Sequence, residues 1–169
     1  KPIVDNTFFL DDTNRMMVIS GPNAGGKSIV LKSVGLIQMM FQFGMLIPAK
    51  ENSVLSVFDN IFADIGDEQS IENDLSTYSS HLSNMNYFLS KATTKTLVLI
   101  DEMGMGTDPS LGGPMAEAIL ESLHQKNVFG IVTTHFNNLK VYAANTANMQ
   151  SGAMVFDTKQ LKPLYQLQV

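Results

Sequence analysis

Apolar residues fall in short blocks along this chain, and polar clusters rich in Gly, Asp, Asn and Ser separate them. Met16-Met17-Val18-Ile19-Ser20 is a compact apolar run that predicts a buried strand. Ile29 to Phe43 is long and apolar enough for a buried helix, which Gly44 and Pro48 end. Ile3 to Leu10 predicts a strand or two ahead of Met16, and Asp11-Asp12-Thr13-Asn14 a turn. Val54 to Ile65 alternates in part and predicts one strand or two. Tyr78, Leu82, Met85 and Leu89 recur at helical spacing, with Ser76 or Thr77 as N-cap. Thr96 to Ile100 is a second buried strand. A helix is expected from about Gly113 to Lys126, with Met115, Ala118, Ile119, Leu120 and Leu123 on or near its apolar face. Val128 to Val132 predicts a strand and Asn137 to Ala144 a short helix. Met154-Val155-Phe156 and Leu164 to Val169 predict an antiparallel pair. Strands alternating with helices imply an α/β fold, a mostly parallel sheet covered on both faces.

In such a sheet, ligands sit beyond the carboxyl ends of the strands. Three strand ends carry chemistry here. After Ser20 comes Gly21-Pro22-Asn23-Ala24-Gly25-Gly26-Lys27-Ser28, which matches the phosphate-binding pattern of Gly, four residues, Gly-Lys-Ser. Its glycines allow a tight turn that aims backbone N–H groups inward, and the following helix adds partial positive charge. Lys27 should reach the β- and γ-phosphates of a nucleotide, and the Ser28 hydroxyl should bind Mg²⁺. Asp101-Glu102 follows four apolar residues. Beside a phosphate loop the pair reads as a metal carboxylate, Asp101, and a general base, Glu102. His135 ends the strand that begins at Val128. It either contacts the γ-phosphate or is a satisfied structural histidine, and spacing does not choose. Ser76 is likewise either a cap or a phosphate contact at a helix N-terminus.

Composition narrows the class. The chain has 169 residues, room for one domain, and a net charge of −5, which argues against a strong polyanion binder. There is no cysteine, hence no disulfide and no thiolate metal site. The apolar stretch nearest to transmembrane length, Ile29–Ile47, is interrupted by Lys32, Ser33, Gln38 and Gln42. A cytoplasmic protein with no membrane contact is expected, and both ends suggest a piece of a longer protein.

Four segments occur together and in one order: Gly-Pro-Asn-Ala-Gly-Gly-Lys-Ser, Leu-Ser-Thr-Tyr-Ser-Ser-His-Leu, Leu-Ile-Asp-Glu-Met-Gly-Met-Gly-Thr-Asp-Pro and Thr-Thr-His-Phe. Together they resemble the ATPase domain of the MutS family, within the ATP-binding-cassette (ABC) superclass of P-loop NTPases. Ile-Gly-Asp-Glu-Gln-Ser-Ile-Glu-Asn-Asp-Leu-Ser-Thr and Gly-Thr-Asp-Pro look most like the MutS-two branch. The resemblance covers nearly the whole chain, so residues 1–169 are expected to form a single ABC-type ATPase domain. It implies Mg²⁺-dependent ATP hydrolysis that drives a DNA-handling dimer. Two domains would pair head to tail, with Ser76 of each copy completing the other's ATP site. His135 matches the switch histidine, and Ile3 and Val4 lie where the family holds adenine. Met103 and Met105 depart from the Leu and the Ala or Arg expected after Asp-Glu, at side chains that carry no chemistry. DNA would be held through domains absent from this sequence, and MutS-two-like proteins are also linked to stalled ribosomes. A nucleotide-gated clamp with little turnover is the alternative.

Overall fold

The computed structural model describes residues 3–22, 25–66 and 74–169, with the side chains of 74–77 excepted. Ten elements follow in chain order. They are β1 (Met16–Ser20), α1 (Lys27–Gln42), β2 (Asn60–Asp64), α2 (Asp74–Lys91), β3 (Thr96–Ile100), α3 (Pro109–Gln125), β4 (Phe129–Thr133), α4 (Asn137–Asn145), β5 (Met149–Asp157) and β6 (Lys162–Gln168). The strands form one sheet in the order β2-β3-β4-β1-β5-β6. Five are parallel, and β6 runs antiparallel to β5 at one edge.

Alternation along the buried strands builds two cores. Met16 and Val18 of β1 face one side, where Phe88 of α2, Leu120 of α3 and Leu139 of α4 meet them. Met17 and Ile19 face the other side, against Val30 and Leu31 of α1. Each such buried aliphatic side chain contributes about 1.5–3 kcal/mol.

This division of helices positions the site. The chain leaves β1 toward α1 on one face and leaves the neighbouring β4 toward α4 on the other. The two connections diverge, which opens a crevice above the carboxyl ends of β1 and β4.

Several expectations need correction. No strand forms among the described residues of Ile3–Leu10. That segment runs beside the β5–β6 edge, held by side chains instead of a ladder. Asn6 donates to the Tyr165 carbonyl at 3.2 Å and accepts from the Leu167 amide at 2.6 Å. Phe8 and Leu10 pack on the α1-side core while Ile3 and Phe9 are exposed. Of Val54–Ile65 only Asn60–Asp64 becomes strand; Val54 and Val57 face solvent. Helix α2 begins at Asp74, so neither Ser76 nor Thr77 is its N-cap. Helix α3 begins at Pro109, four residues ahead of Gly113. Asp108 caps it by accepting the Ser110 amide at 2.8 Å, and Pro109 follows the cap with its φ already helical. On that helix Leu120 and Leu123 are buried, whereas Met115 and Ala118 face outward and Ala116 takes the inner position. Gly66-Asp67-Glu68-Gln69-Ser70, whose polar sequence reads as a loop, lies, beyond Gly66, outside the described residues. The Asp11 turn forms, with its carboxylate accepting the Thr13 and Asn14 amides at 2.8 and 2.9 Å. No helix among the described residues is long and apolar enough to cross a membrane.

Candidate active site

Three strand ends converge at the crevice. After β1, Gly25 donates its amide to the Pro22 carbonyl at 2.9 Å, and Gly21 and Gly26 take φ of 131° and 94°. Such left-handed backbone favours glycine. The cradle also lies close to its support. A Cβ on Gly25 would come within 3.1 Å of the Met154 Cβ, and one on Gly26 within 3.0 Å of the Tyr165 ring. Asn23 and Ala24, the middle of the loop, lie outside the described residues.

Lys27 opens α1 and is 1% exposed. Its Nζ donates to the Gly21 carbonyl at 2.6 Å and lies 3.3 Å from His135 Nε2. Burial pushes its pKa below the ordinary lysine value, while the Glu102 and Asp101 carboxylates work in the opposite direction. Ser28, half-buried, sits in the first turn of α1.

Asp101 and Glu102 follow the end of β3. Asp101 donates its amide to the Asp64 carbonyl at 2.9 Å. The Thr133 hydroxyl, from the end of β4, donates to Asp101 Oδ1 at 2.5 Å and accepts the Glu102 amide at 2.8 Å. One hydroxyl therefore holds both acidic residues. Glu102 has a φ of 49°, a left-handed value uncommon for a non-glycine residue. Such strain clusters at functional sites. Its Oε1 lies 3.9 Å from His135 Nε2. Burial first, and the Lys27 charge second, push the His135 pKa below the ordinary imidazole value, which favours the neutral ring.

The structure thus brings Lys27, Asp101, Glu102 and His135 to one crevice. Ser76 is in the first turn of α2, and its side chain lies outside the described residues. Ile3 and Val4 are exposed, 92% and 40%, three and two residues ahead of Asn6.

Sequence reasoning passed over two groups. Thr133 and Thr134 are both fully buried. Buried hydroxyls must find partners, so a Thr-Thr pair ending an apolar strand was the available signal. Tyr165 lies with its ring against Gly26, which nothing in the pattern of β6 foretells.

The residues fit a Mg²⁺-nucleotide. Among the described residues no three His, Cys, Asp or Glu side chains gather as a metal cage. Mg²⁺ requires none, because one carboxylate and a hydroxyl suffice where phosphate oxygens and water supply the rest. Asp101 and the Ser28 hydroxyl are oxygen donors of those two kinds.

Fold and crevice together define a mixed α/β protein with a glycine-rich loop and an acidic strand end at the sheet's switch point. A family model, MutS domain V, matches residues 17–169. Relatives named Endonuclease MutS2 include that of Ruminiclostridium cellulolyticum (strain ATCC 35319 / DSM 5812 / JCM 6584 / H10). It is 46% identical over 167 residues, 99% of this chain and 21% of that protein. That of Lacticaseibacillus casei (strain BL23) is 47% identical over the same span and shares. That of Finegoldia magna (strain ATCC 29328 / DSM 20472 / WAL 2508) is 46% identical over 169 residues, 100% of this chain and 22% of that protein. The chain belongs to the MutS family as its domain V, on the MutS-two branch. It spans about a fifth of the length of these relatives.

Proposed function

We propose that this domain binds ATP with Mg²⁺ and hydrolyses it, and that turnover drives a MutS-like protein in DNA repair or recombination control. The ABC-type pairing of two copies, head to tail, belongs to the same proposal. The observation that carries it is the convergence of Lys27, Glu102 and His135, from three separate strand ends, at the β1/β4 crevice.

The Gly21–Ser28 loop and the α1 N-terminus would hold the phosphates, and Lys27 would move from the Gly21 carbonyl to the β- and γ-phosphates. Asp101 and the Ser28 hydroxyl would hold Mg²⁺. When bound, that ion supplies positive charge to the phosphate oxygens. Glu102 would orient a water for in-line attack on the γ-phosphorus and accept its proton, as the bond to the leaving β-phosphate oxygen breaks. His135, held neutral, can donate one hydrogen bond to a γ-phosphate oxygen. Ser76 would serve the γ-phosphate bound by the partner copy, and Ile3 and Val4 would flank the adenine. DNA would be engaged by parts of the protein outside this chain.

The test is Glu102→Gln in the full-length protein. ATP binding should persist while turnover falls by roughly 10²-fold or more. Equal loss of binding and turnover would give Glu102 a structural or metal role instead.

A further inference from the structure

The residue after His135 is placed against the usual rule for its position. Phe136 is the N-cap of α4, where a short polar side chain is preferred. Its ring makes no cap bond, and its own amide donates to the Thr134 hydroxyl at 3.1 Å. The ring instead fills a groove that only glycines leave open. A Cβ on Gly104 would come within 2.8 Å of the ring, one on Gly113 within 3.2 Å and one on Gly112 within 3.3 Å. The groove walls are themselves in close contact. A Cβ on Gly112 would sit 2.3 Å from the Gly104 carbonyl oxygen, and Gly104 has a φ of 90°.

The ring therefore adjoins two parts of the proposed site. It is covalently next to His135, and it lies on Gly104, two residues beyond Glu102. The start of α3 supplies the third wall, and Asn138 donates to the Gly113 carbonyl at 3.0 Å across the same joint. A methyl group on any wall would press on the ring, at 2.8 to 3.3 Å.

We infer that Phe136, wedged among Gly104, Gly112 and Gly113, is a positioning residue that sets the spacing between Glu102 and His135 for ATP turnover. The inference rests on the proposed ATPase reading. It assigns Phe136 no contact with substrate. Misplacement by about 1 Å can cost about 10²-fold in rate without touching the reacting groups. A ring that served packing alone would lower stability and leave turnover per folded molecule unchanged.

The experiment measures kcat, ATP affinity and thermal midpoint in the full-length protein for Phe136→Ala, Phe136→Leu, Gly113→Ala and the Phe136→Ala/Gly113→Ala pair. Phe136→Ala should lower kcat by about tenfold or more at little-changed ATP affinity, with Phe136→Leu between it and wild type. Gly113→Ala, which adds one methyl against the intact ring, should lower kcat as well. In the Phe136→Ala background the same methyl no longer meets the ring and keeps only a side-chain contact with Asn138 Oδ1 at 3.3 Å, so it should cost little more. That lack of additivity identifies the shared joint. Should Phe136→Ala fail to fold, Phe136→Leu against Gly113→Ala gives the same comparison. Unchanged kcat in folded Phe136 variants, or effects that simply multiply, would overturn the inference while wild-type turnover leaves the ATPase reading standing. A wild type that binds ATP and never hydrolyses it would overturn both.

Discussion

Two polar clusters stand on the carboxyl edge of the same sheet, and they are built differently. Above β2, Asp64 is closed by its own neighbours. Its side chain is 8% exposed, with one oxygen 2.6 Å from His81 Nδ1 and the other accepting from Asn84 at 2.9 Å. Above β1, β3 and β4 the spacing around the His135 ring is wider, with Lys27 Nζ at 3.3 Å and Glu102 Oε1 at 3.9 Å from its Nε2. The second distance is beyond hydrogen bonding. A buried carboxylate satisfied at short range by two helix side chains is a brace, which joins α2 to the end of β2. Lys27, close enough to Glu102 and Asp101 to feel both charges and set beside the His135 imidazole above a glycine loop, suits recognition of a third charged group. Proximity to the strand ends does not separate the two clusters; the buried lysine and the glycine loop do.

Substitutions in the two clusters should therefore fail in different ways. The largest effect is expected for Lys27→Ala. ATP affinity by calorimetry should fall by about 10²-fold or more, since a charge-assisted phosphate contact is lost. Unchanged affinity would remove the phosphate-loop reading. Next comes the partner's contribution. Ser76→Ala should spare ATP binding and lower turnover by about tenfold if its hydroxyl serves a γ-phosphate across a two-fold pair. Mixing Ser76→Ala chains with Lys27→Ala chains joins both lesions in one site of the heterodimer and leaves the other whole. Activity should partly return; if mixing restores nothing, the shared site is refuted.

The brace should show the opposite behaviour. Asp64→Asn should cost about 1–3 kcal/mol in urea unfolding, because the short bond to His81 is lost in a nearly buried place. The smallest effect is the His135 titration. In the free protein its ring should protonate, by NMR, below the ordinary imidazole range. The unfolded chain then binds the proton at higher pH than the folded one. Stability is full above the ordinary imidazole pKa and declines as pH falls through it toward the depressed folded value. The ring is a third exposed, so the decline should be shallow. A midpoint above the ordinary value would contradict the burial and Lys27 effects.

Much of the inner cluster was legible because its chemistry is local. Gly21–Ser28 is contiguous, and Asp101-Glu102 and His135 each close an apolar run, so strand ends could be read as site ends. The outer cluster was not legible. Asp64, His81 and Asn84 become neighbours only because α2 crosses over the end of β2, and no spacing announces that. Thr133 escaped notice for the same reason: its partners lie just after β3, more than thirty residues away. Among the elements, errors fell where polar and tertiary effects outweigh hydrophobic pattern. Ile3–Leu10 is apolar enough for a strand, yet Asn6 takes the edge bonding of β6. The start of α3 was hidden by Gly112, Gly113 and Pro114, poor helix formers, although Asp108-Pro109 is a helix-start signal.

The contrast between a brace and a reaction site is tested most directly by measuring ATP turnover and unfolding free energy together for Glu102→Gln and Asp64→Asn in the full-length protein. Glu102→Gln should lose roughly 10²-fold or more in turnover at nearly unchanged stability, whereas Asp64→Asn should lose stability and keep turnover within a few-fold where it is folded. The reverse pattern, with Glu102→Gln unfolding the domain and Asp64→Asn abolishing turnover, would contradict the account.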